Sequence, residues 1–220
     1  FGLRSGSIYP NDLGGNRQLE DYVGHVECGP DRPAAVPDQG ITFLKTHEHA
    51  QDEHPAIYVL RDGRAAAVSL QAFYWQTLTI EAVVEGHHQF GTWSAHVESW
   101  HPWDRPNTLL LRYEQMKTDL PATLRSISGF IQREVLNARL PDREAIAEVD
   151  GLWVTKEARR KPVLAGEALA RFNTLNRRIL GQAGYAVHPW TVLAADRLRA
   201  AGPVREHLSM LPQQVPGDPD

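Results

Sequence analysis

With 220 residues, 42% of them hydrophobic and 23% charged, the chain has the composition of one ordinary globular domain with a sizeable core, which excludes collagen-like, disordered and disulfide-scaffold classes. Its formal charge of -4 provides no global basic field for nucleic acid or an anionic membrane, so any anionic ligand has to be held by a local cluster of donors. One cysteine, Cys28, cannot close an internal disulfide, no run approaches the ~18 apolar residues of a membrane span, and Phe1 to Tyr9 lack the features of a secretory signal, so a reducing cytoplasm is the expected setting.

The first forty residues are rich in turn formers, with Asn11-Asp12-Leu13-Gly14-Gly15, then Gly29-Pro30-Asp31-Arg32-Pro33 and Pro37. They read as loops around one short helix, roughly Arg17 to Val23. Ile41 to Thr46 and Ala56 to Leu60 are short apolar or β-prone runs of the kind found as interior strands of a parallel sheet. Arg61-Asp62-Gly63 then turns into a helix over Arg64 to Trp75, with Ala65, Val68, Ala72 and Trp75 on one face. Thr92 is the predicted N-cap of a helix over Trp93 to Trp100, and Thr108 to Tyr113 is a third apolar strand. Asp119 starts a helix over Leu120 to Val135. A last helix is expected over Gly166 to Gly181, with Leu169, Phe172, Leu175, Ile179 and Leu180 on one side. Strands alternate with helices, so the class is α/β with a central parallel sheet. Thr155 to Pro162 is the one stretch with linker-like composition, and there is no internal repeat.

Three segments could carry chemistry. Lys45-Thr46-His47 stands at the carboxyl end of a strand, where open α/β sheets place ligands. The same histidine opens a second possibility, because His47, His49, Asp52 and His54 lie within eight residues and imidazoles two apart on a strand share a face. Arg61 precedes a glycine turn and a helix that carries Ser69, a layout in which a guanidinium and free backbone amides converge on an anion. Tyr113, in Arg112-Tyr113-Glu114-Gln115-Met116-Lys117, can stack on a base or close the core. Each of these alone is equally a polar strand end, a capped helix or a core aromatic.

In order and spacing, however, they resemble a known family. Lys45-Thr46-His47 is similar to the KTH motif of the sulfotransferases that use 3′-phosphoadenosine 5′-phosphosulfate. Tyr58-Val59-Leu60-Arg61-Asp62-Gly63-Arg64 running to Ser69 resembles the family's 3′-phosphate motif, and Gly91-Thr92-Trp93-Ser94-Ala95-His96-Val97 with Trp100 resembles the helix before its next strand. Arg112 to Lys117 with Asp119 is similar to the family's RYEDMKxDP stretch. The resemblance covers about residues 41 to 135. It implies a three-layer, nucleotide-kinase-like fold of the P-loop type and transfer of a sulfuryl group to a hydroxyl or amine. By the same resemblance His47 is the general base, Lys45 supports the leaving oxygen, and Thr46 supports the cofactor side. Arg61 and Ser69 bind the 3′-phosphate, Tyr113 contacts the adenine, 3′,5′-adenosine bisphosphate is the product, and no metal is required. A small-molecule, glycan or peptide acceptor is implied, with variable loops at residues 1–40 and Gln76 to Phe90 forming its pocket; His101-Pro102-Trp103 offers an aromatic wall.

The departures are specific. No copy of the family's PKSGTTW phosphate loop is evident: Arg4-Ser5-Gly6-Ser7 echoes its core, but Pro10 and the Asn-Asp and Gly-Gly turns follow where a helix should be. The late RKGxxGDW loop is matched only in charge, by Arg159-Arg160-Lys161-Pro162. The expectation is one sulfotransferase-like domain over residues 1–211, lacking its first strand and phosphate loop, with a disordered tail over 212–220. The strand at Ile41 is then expected to lack a neighbour, and the donor site to need upstream residues. A metal-dependent hydrolase built on His47, His49 and His54, a nucleotide-binding module without catalysis, and a structural or interaction protein are the competing expectations.

Overall fold

Strand β1 (Ser5–Pro10) is the middle member of a three-stranded parallel sheet, between β2 (His25–Cys28) and β3 (Phe43–Lys45). The computed structural model describes residues 1–10, 13–28, 40–41, 43–74, 77–149 and 164–186. The basic stretch at 155–162, Trp75 and Gln76, and the 212–220 tail lie outside those residues.

This sheet corrects two expectations. Residues 1–40 are not loops around a lone helix, and the strand ending at Lys45 has a neighbour: Ser5, Gly6 and Ser7 lie opposite Phe43, Leu44 and Lys45. The inner positions of β1 are the small Gly6 and Ser7, both buried. Ladder hydrogen bonds therefore hold this strand, and no run of apolar side chains betrays it. Pro10, which has no N–H to give a ladder, stands at its end. Asn16 caps helix α1 (Arg17–Val23) by accepting from the Leu19 amide at 3.1 Å, and Gly24, at φ 66°, closes it. Glu27 of β2 then reaches back. Its carboxylate, only 4% exposed as a residue, accepts the Leu13 amide and, at 2.9 Å, the Gly15 amide. The Leu13 and Gly15 donors of the turn after β1 are thus satisfied from inside the molecule.

Strand β4 (Ala56–Leu60) follows as expected, with Tyr58 and Leu60 facing inward and Val59 outward. Helix α2 (Gly63–Phe73) is capped by Asp62, α3 (Ile80–Glu85) by Thr79 and α4 (Trp93–Trp100) by Thr92. Strand β5 (Thr108–Arg112) pairs in parallel with β4, from Ala56 opposite Thr108 to Leu60 opposite Arg112. Tyr113, expected to end that strand, instead opens α5 (Tyr113–Thr118). Then come α6 (Leu120–Ile131), capped by the Asp119 side chain, and α7 (Arg143–Val149), followed by α8 (Gly166–Leu175) and α9 (Arg177–Gln182). The α/β class with parallel strands is the one the sequence predicts, and the ladders group the strands as three and two. Among the described residues no helix is long and apolar enough to cross a membrane.

Two details of packing depart from the periodicity. The inward face of α2 is Gly63 and Ala67, with Val68 and Leu70 beside them, while Ala72 is exposed. The single helix expected over Gly166 to Gly181 breaks at Asn176, a buried side chain whose Oδ1 accepts from the Ser94 amide (3.0 Å) and hydroxyl (2.7 Å) and whose Nδ2 donates to Phe172 O (2.8 Å). The Asn176 backbone keeps its ladder bonds on both sides, to Phe172 O and from the Leu180 amide, each at 2.9 Å, so the interruption is a local bend at φ -106° and ψ 10° where the side chain is anchored.

Among the described residues two clusters of buried side chains stand out, beside Leu13, Leu19 and Val26 buried next to the three-stranded sheet. Ala67, Val83, Val84, Leu164, Phe172 and Leu180 form one, and Tyr58, Leu60, Val97, Ile179 and Ala183 the other, with Trp93 and Tyr185 packed against both. Trp93 and Phe172 close so tightly on the first residue of α2 that only glycine fits. A Cβ on Gly63 would lie 2.7 Å from Phe172 Cζ and 2.8 Å from Trp93 Cε2. Gly63→Ala is therefore expected to destabilise the fold by about 1–3 kcal/mol, the usual cost of overpacking. Urea unfolding checks it; a midpoint unchanged from wild type would show that this corner is loose.

Candidate active site

The candidate residues begin where the strands end: Lys45 is the last residue of β3, and Leu60 and Arg112 are the last of β4 and β5. Because Leu60 lies opposite Arg112, the residues that follow them also meet. The Arg61 guanidinium sits over the Tyr113 ring, 4.5 Å from its centroid, and Lys117, about one turn further along α5, approaches the same ring at 5.9 Å. Two cations against one aromatic ring make a corner that suits a group carrying negative charge.

The start of α2 differs from the open anion pocket that the sequence suggests. Asp62 accepts the Arg64 amide at 2.9 Å, and the Arg64 guanidinium returns to the Asp62 carboxylate through Nε (2.9 Å) and Nη2 (2.8 Å). An acid thus occupies the helix cap, balanced by its own arginine, and the cation available to an anion here is Arg61. Ser69 lies on the exposed face of α2, about 9 Å along the axis from Gly63 at the usual rise per residue. The structure brings Arg61 and Tyr113 together but does not bring Ser69 into hydrogen bonding with either.

A short segment after α9 crosses these strand ends. Arg112 donates to Ala183 O and lies over the Tyr185 ring at 5.4 Å, and Arg64 donates to Ala186 O at 2.7 Å. Glu114 joins both sides, accepting from the Tyr185 hydroxyl and from the Asp62 amide, each at 3.1 Å. Burial first, and then the Glu114 carboxylate, push the Tyr185 hydroxyl up to about 12. It remains a donor at any physiological pH.

At the other strand end, Lys45 is half-buried and Thr46 uses its hydroxyl to accept the Glu48 amide at 2.9 Å. His47 is exposed and lies beyond the strand. Its imidazole stacks on Tyr9, with centroids 5.6 Å apart and planes 23° apart, and meets Phe90 edge-on at 5.9 Å. The backbone around it is held by α4. His96 Nε2 donates to His47 O at 3.1 Å, Trp100 Nε1 to Glu48 O at 2.9 Å, and the Ser99 hydroxyl accepts the Ala50 amide at 3.4 Å. None of Tyr9, Glu48, Phe90, His96 or Lys117 was singled out from the sequence as a site residue. The spacing of Trp93, His96 and Trp100 at three and four was the available signal for α4.

The metal arrangement expected as an alternative does not form among the described residues. His49 Nε2 bonds Phe90 O at 3.0 Å, exposed His54 pairs with Asp52 at 3.1 Å, and no set of three or more His, Cys, Asp or Glu side chains converges. An open depression of about 420 Å³ beside Ala50 to Glu53, Ser99 to His101 and Asp104 to Pro106 includes none of Lys45, Thr46, His47, Arg61, Ser69 or Tyr113.

A family model described as the sulfotransferase domain matches residues 21–173. The chain belongs to the sulfotransferase family. Among similar proteins, sulfotransferase 2A2 of Mus musculus is 32% identical over 36% of this chain and 32% of its own. Luciferin sulfotransferase of Photinus pyralis is 27% identical over 47% of this chain and 33% of its own. The chain therefore spans about a third of the length of the curated relatives it matches. A crystal structure of mouse sulfotransferase SULT7A1 complexed with PAP aligns with a TM-score of 0.35 and 22% identity, covering 66% of this chain and 55% of that one. All six residues singled out from the sequence lie inside the sulfotransferase span, whereas Tyr9 lies outside it.

His96 is a largely buried titratable group beside the His47 backbone. A carbonyl only accepts, so Nε2 carries the proton, and Nδ1 of the neutral ring accepts from the Tyr58 hydroxyl at 3.0 Å. Burial, and next the neighbouring His49, hold its pKa below the ordinary histidine value. The unfolded chain, with its histidine near 6.5, takes up the proton first. Stability from this group is therefore complete above that pH and is lost as pH falls through the lowered folded value. His88, also lowered by burial, adds to the slope. Between about pH 7.5 and 5.5 the thermal midpoint should fall, and His96→Gln, with no proton to take up, should flatten part of that fall. An equal slope in both proteins would remove His96 from the account.

Proposed function

We propose that the protein transfers a sulfuryl group from 3′-phosphoadenosine 5′-phosphosulfate to a hydroxyl or amine of a small-molecule, glycan or peptide acceptor. The observation that carries this reading is the sulfotransferase match over residues 21–173, which contains Lys45, Thr46, His47, Arg61, Ser69 and Tyr113. The cationic corner of Arg61 and Lys117 on Tyr113 supports it, because its chemistry fits an adenine nucleotide carrying an extra phosphate. The donor, read as the second substrate, supplies the activated sulfuryl group.

The residues have separate tasks. Arg61 and Ser69 hold the 3′-phosphate, and Tyr113 contacts the adenine. His47 takes the acceptor's proton on its unprotonated ring nitrogen as the acceptor oxygen or nitrogen attacks sulfur. Lys45 offers positive charge where the leaving oxygen gains negative charge, and Thr46 steadies the turn between them through its bond to the Glu48 amide. The half-buried Cys28, free of any disulfide, accords with a reducing, cytoplasmic setting. A second reading, a nucleotide-binding protein without turnover, draws on Glu27, whose carboxylate occupies the amides of the turn after β1.

Two variants test the proposal. Arg61→Ala should weaken binding of 3′,5′-adenosine bisphosphate by roughly 1.5–3 kcal/mol, the worth of a charge-assisted hydrogen bond, and leave AMP binding nearly unchanged. Titration calorimetry with both nucleotides checks it, and equal losses would sink the 3′-phosphate role. His47→Ala should cost about a hundredfold or more in turnover while leaving the bisphosphate affinity intact. Full activity in that variant would exclude His47 as the base, and a wild-type protein that binds the bisphosphate but transfers nothing would favour the second reading.

A further inference from the structure

We infer that Tyr9 is a positioning residue for His47: it completes, with a side chain, the ladder that β3 has left, and so fixes the imidazole that the proposed reaction uses. The inference rests on the reading of His47 as the base.

The register leads to it. Ser7 lies opposite Lys45 in the β1–β3 ladder, and β1 runs on to Pro10 while β3 stops at Lys45. Two residues further along each chain, Tyr9 and His47 come face to face. There is no strand at residue 47 to take a backbone bond, and the Tyr9 hydroxyl accepts the His47 amide at 2.8 Å instead. The same hydroxyl donates to Glu48 Oε1 at 2.9 Å, so its own proton is directed away from His47. Tyr9 is then fixed at both its hydroxyl and its ring, which stacks on the imidazole.

On the other side of the same residue, His96 donates to His47 O. The N–H and the C=O of His47 are therefore each held by a side chain, one from β1 and one from α4. An imidazole carried on a backbone pinned at both ends, with an aromatic ring on its face and Phe90 at its edge, has few orientations to choose from. For a group that must meet an acceptor proton within hydrogen-bond reach, that restriction is worth rate, because a misplacement of about 1 Å can cost on the order of a hundredfold. Tyr9 touches neither donor nor acceptor in this account and acts only through His47.

The test is a double-mutant cycle on the intact protein with Tyr9→Phe, His47→Ala and the pair. Tyr9→Phe keeps the ring and removes the hydroxyl. It should lower kcat about tenfold or more, leave 3′,5′-adenosine bisphosphate affinity within about twofold, and have no further effect once His47 is alanine. Tyr9→Leu, which also removes the ring, should lose more. A Tyr9→Phe enzyme at wild-type kcat, while His47→Ala is inactive, would overturn the positioning role and leave the base reading standing. An equal loss from Tyr9→Phe in the His47→Ala background would show that Tyr9 acts elsewhere. Turnover near the wild-type rate in His47→Ala would bring down the base reading and this inference with it. Should Tyr9→Phe fail to fold, the His47 ring protons of the wild-type protein decide by NMR. A stacked ring gives upfield shifts, and shifts at the unstructured position would overturn the contact.

Discussion

One face of helix α4 holds the loop that leaves β3. The segment from Thr46 to Pro55 joins strands of two different ladders, so its backbone groups have no strand to pair with and must find partners elsewhere. His96, Ser99 and Trp100 supply them at residues 47, 50 and 48. Arg105, in the turn beyond the helix, does the same for the carbonyls of Asp52 and His54, each at 2.8 Å. Tyr58 of β4 reaches the same helix from below through its bond to His96 and its ring contact with Trp100. The two sheets are thus coupled through side chains on α4, and the exposed His47 is carried at that junction.

What the sequence disclosed follows from how each element is held. Strand β4 was legible to the residue because Ala56 to Leu60 is stabilised by its own apolar side chains, and a run of them is visible in one dimension. The cap residues Thr92 and Asp119 were legible for the same reason, since a side chain bonding to an amide three residues on is a local event. Strand β1 was not, because Ser5-Gly6-Ser7 is a strand only by virtue of partners some twenty and forty residues away. The break at Asn176 was hidden likewise: its partner Ser94 is distant in sequence, and asparagine in a helical pattern carries no sign that it will be claimed. At the site, the motif residues could be located, but their neighbours could not. Tyr9 meets His47 through a register that exists only once β1 does.

Charge is distributed in a way that the net value of -4 conceals. Arg61, Arg64, Arg112 and Lys117 gather where β4 and β5 end, and three of these four touch an aromatic ring. Arg64 is committed to Asp62, and Arg112 to the carbonyl of Ala183, so both serve the fold. Arg61 and Lys117 are left against the Tyr113 ring. An aromatic face is a weak partner compared with a carboxylate, which keeps a guanidinium oriented without neutralising it.

The Ser94 to Asn176 contact sets a timetable for the newly made chain. The first turn of α4 has one amide, at Ala95, capped locally by Thr92, and the one before it, at Ser94, satisfied by a residue 82 positions downstream. At a synthesis rate of about 5–20 residues per second, roughly 4–16 s pass between the emergence of the two partners. Over that interval the helix that carries His96 and Trp100 has an open start, and the indole of Trp93 has no Phe172 to cover it. The bonds that hold the His47 loop come from residues made early, but the helix that supplies three of them is completed at its start only once Phe172 and Asn176 have been made.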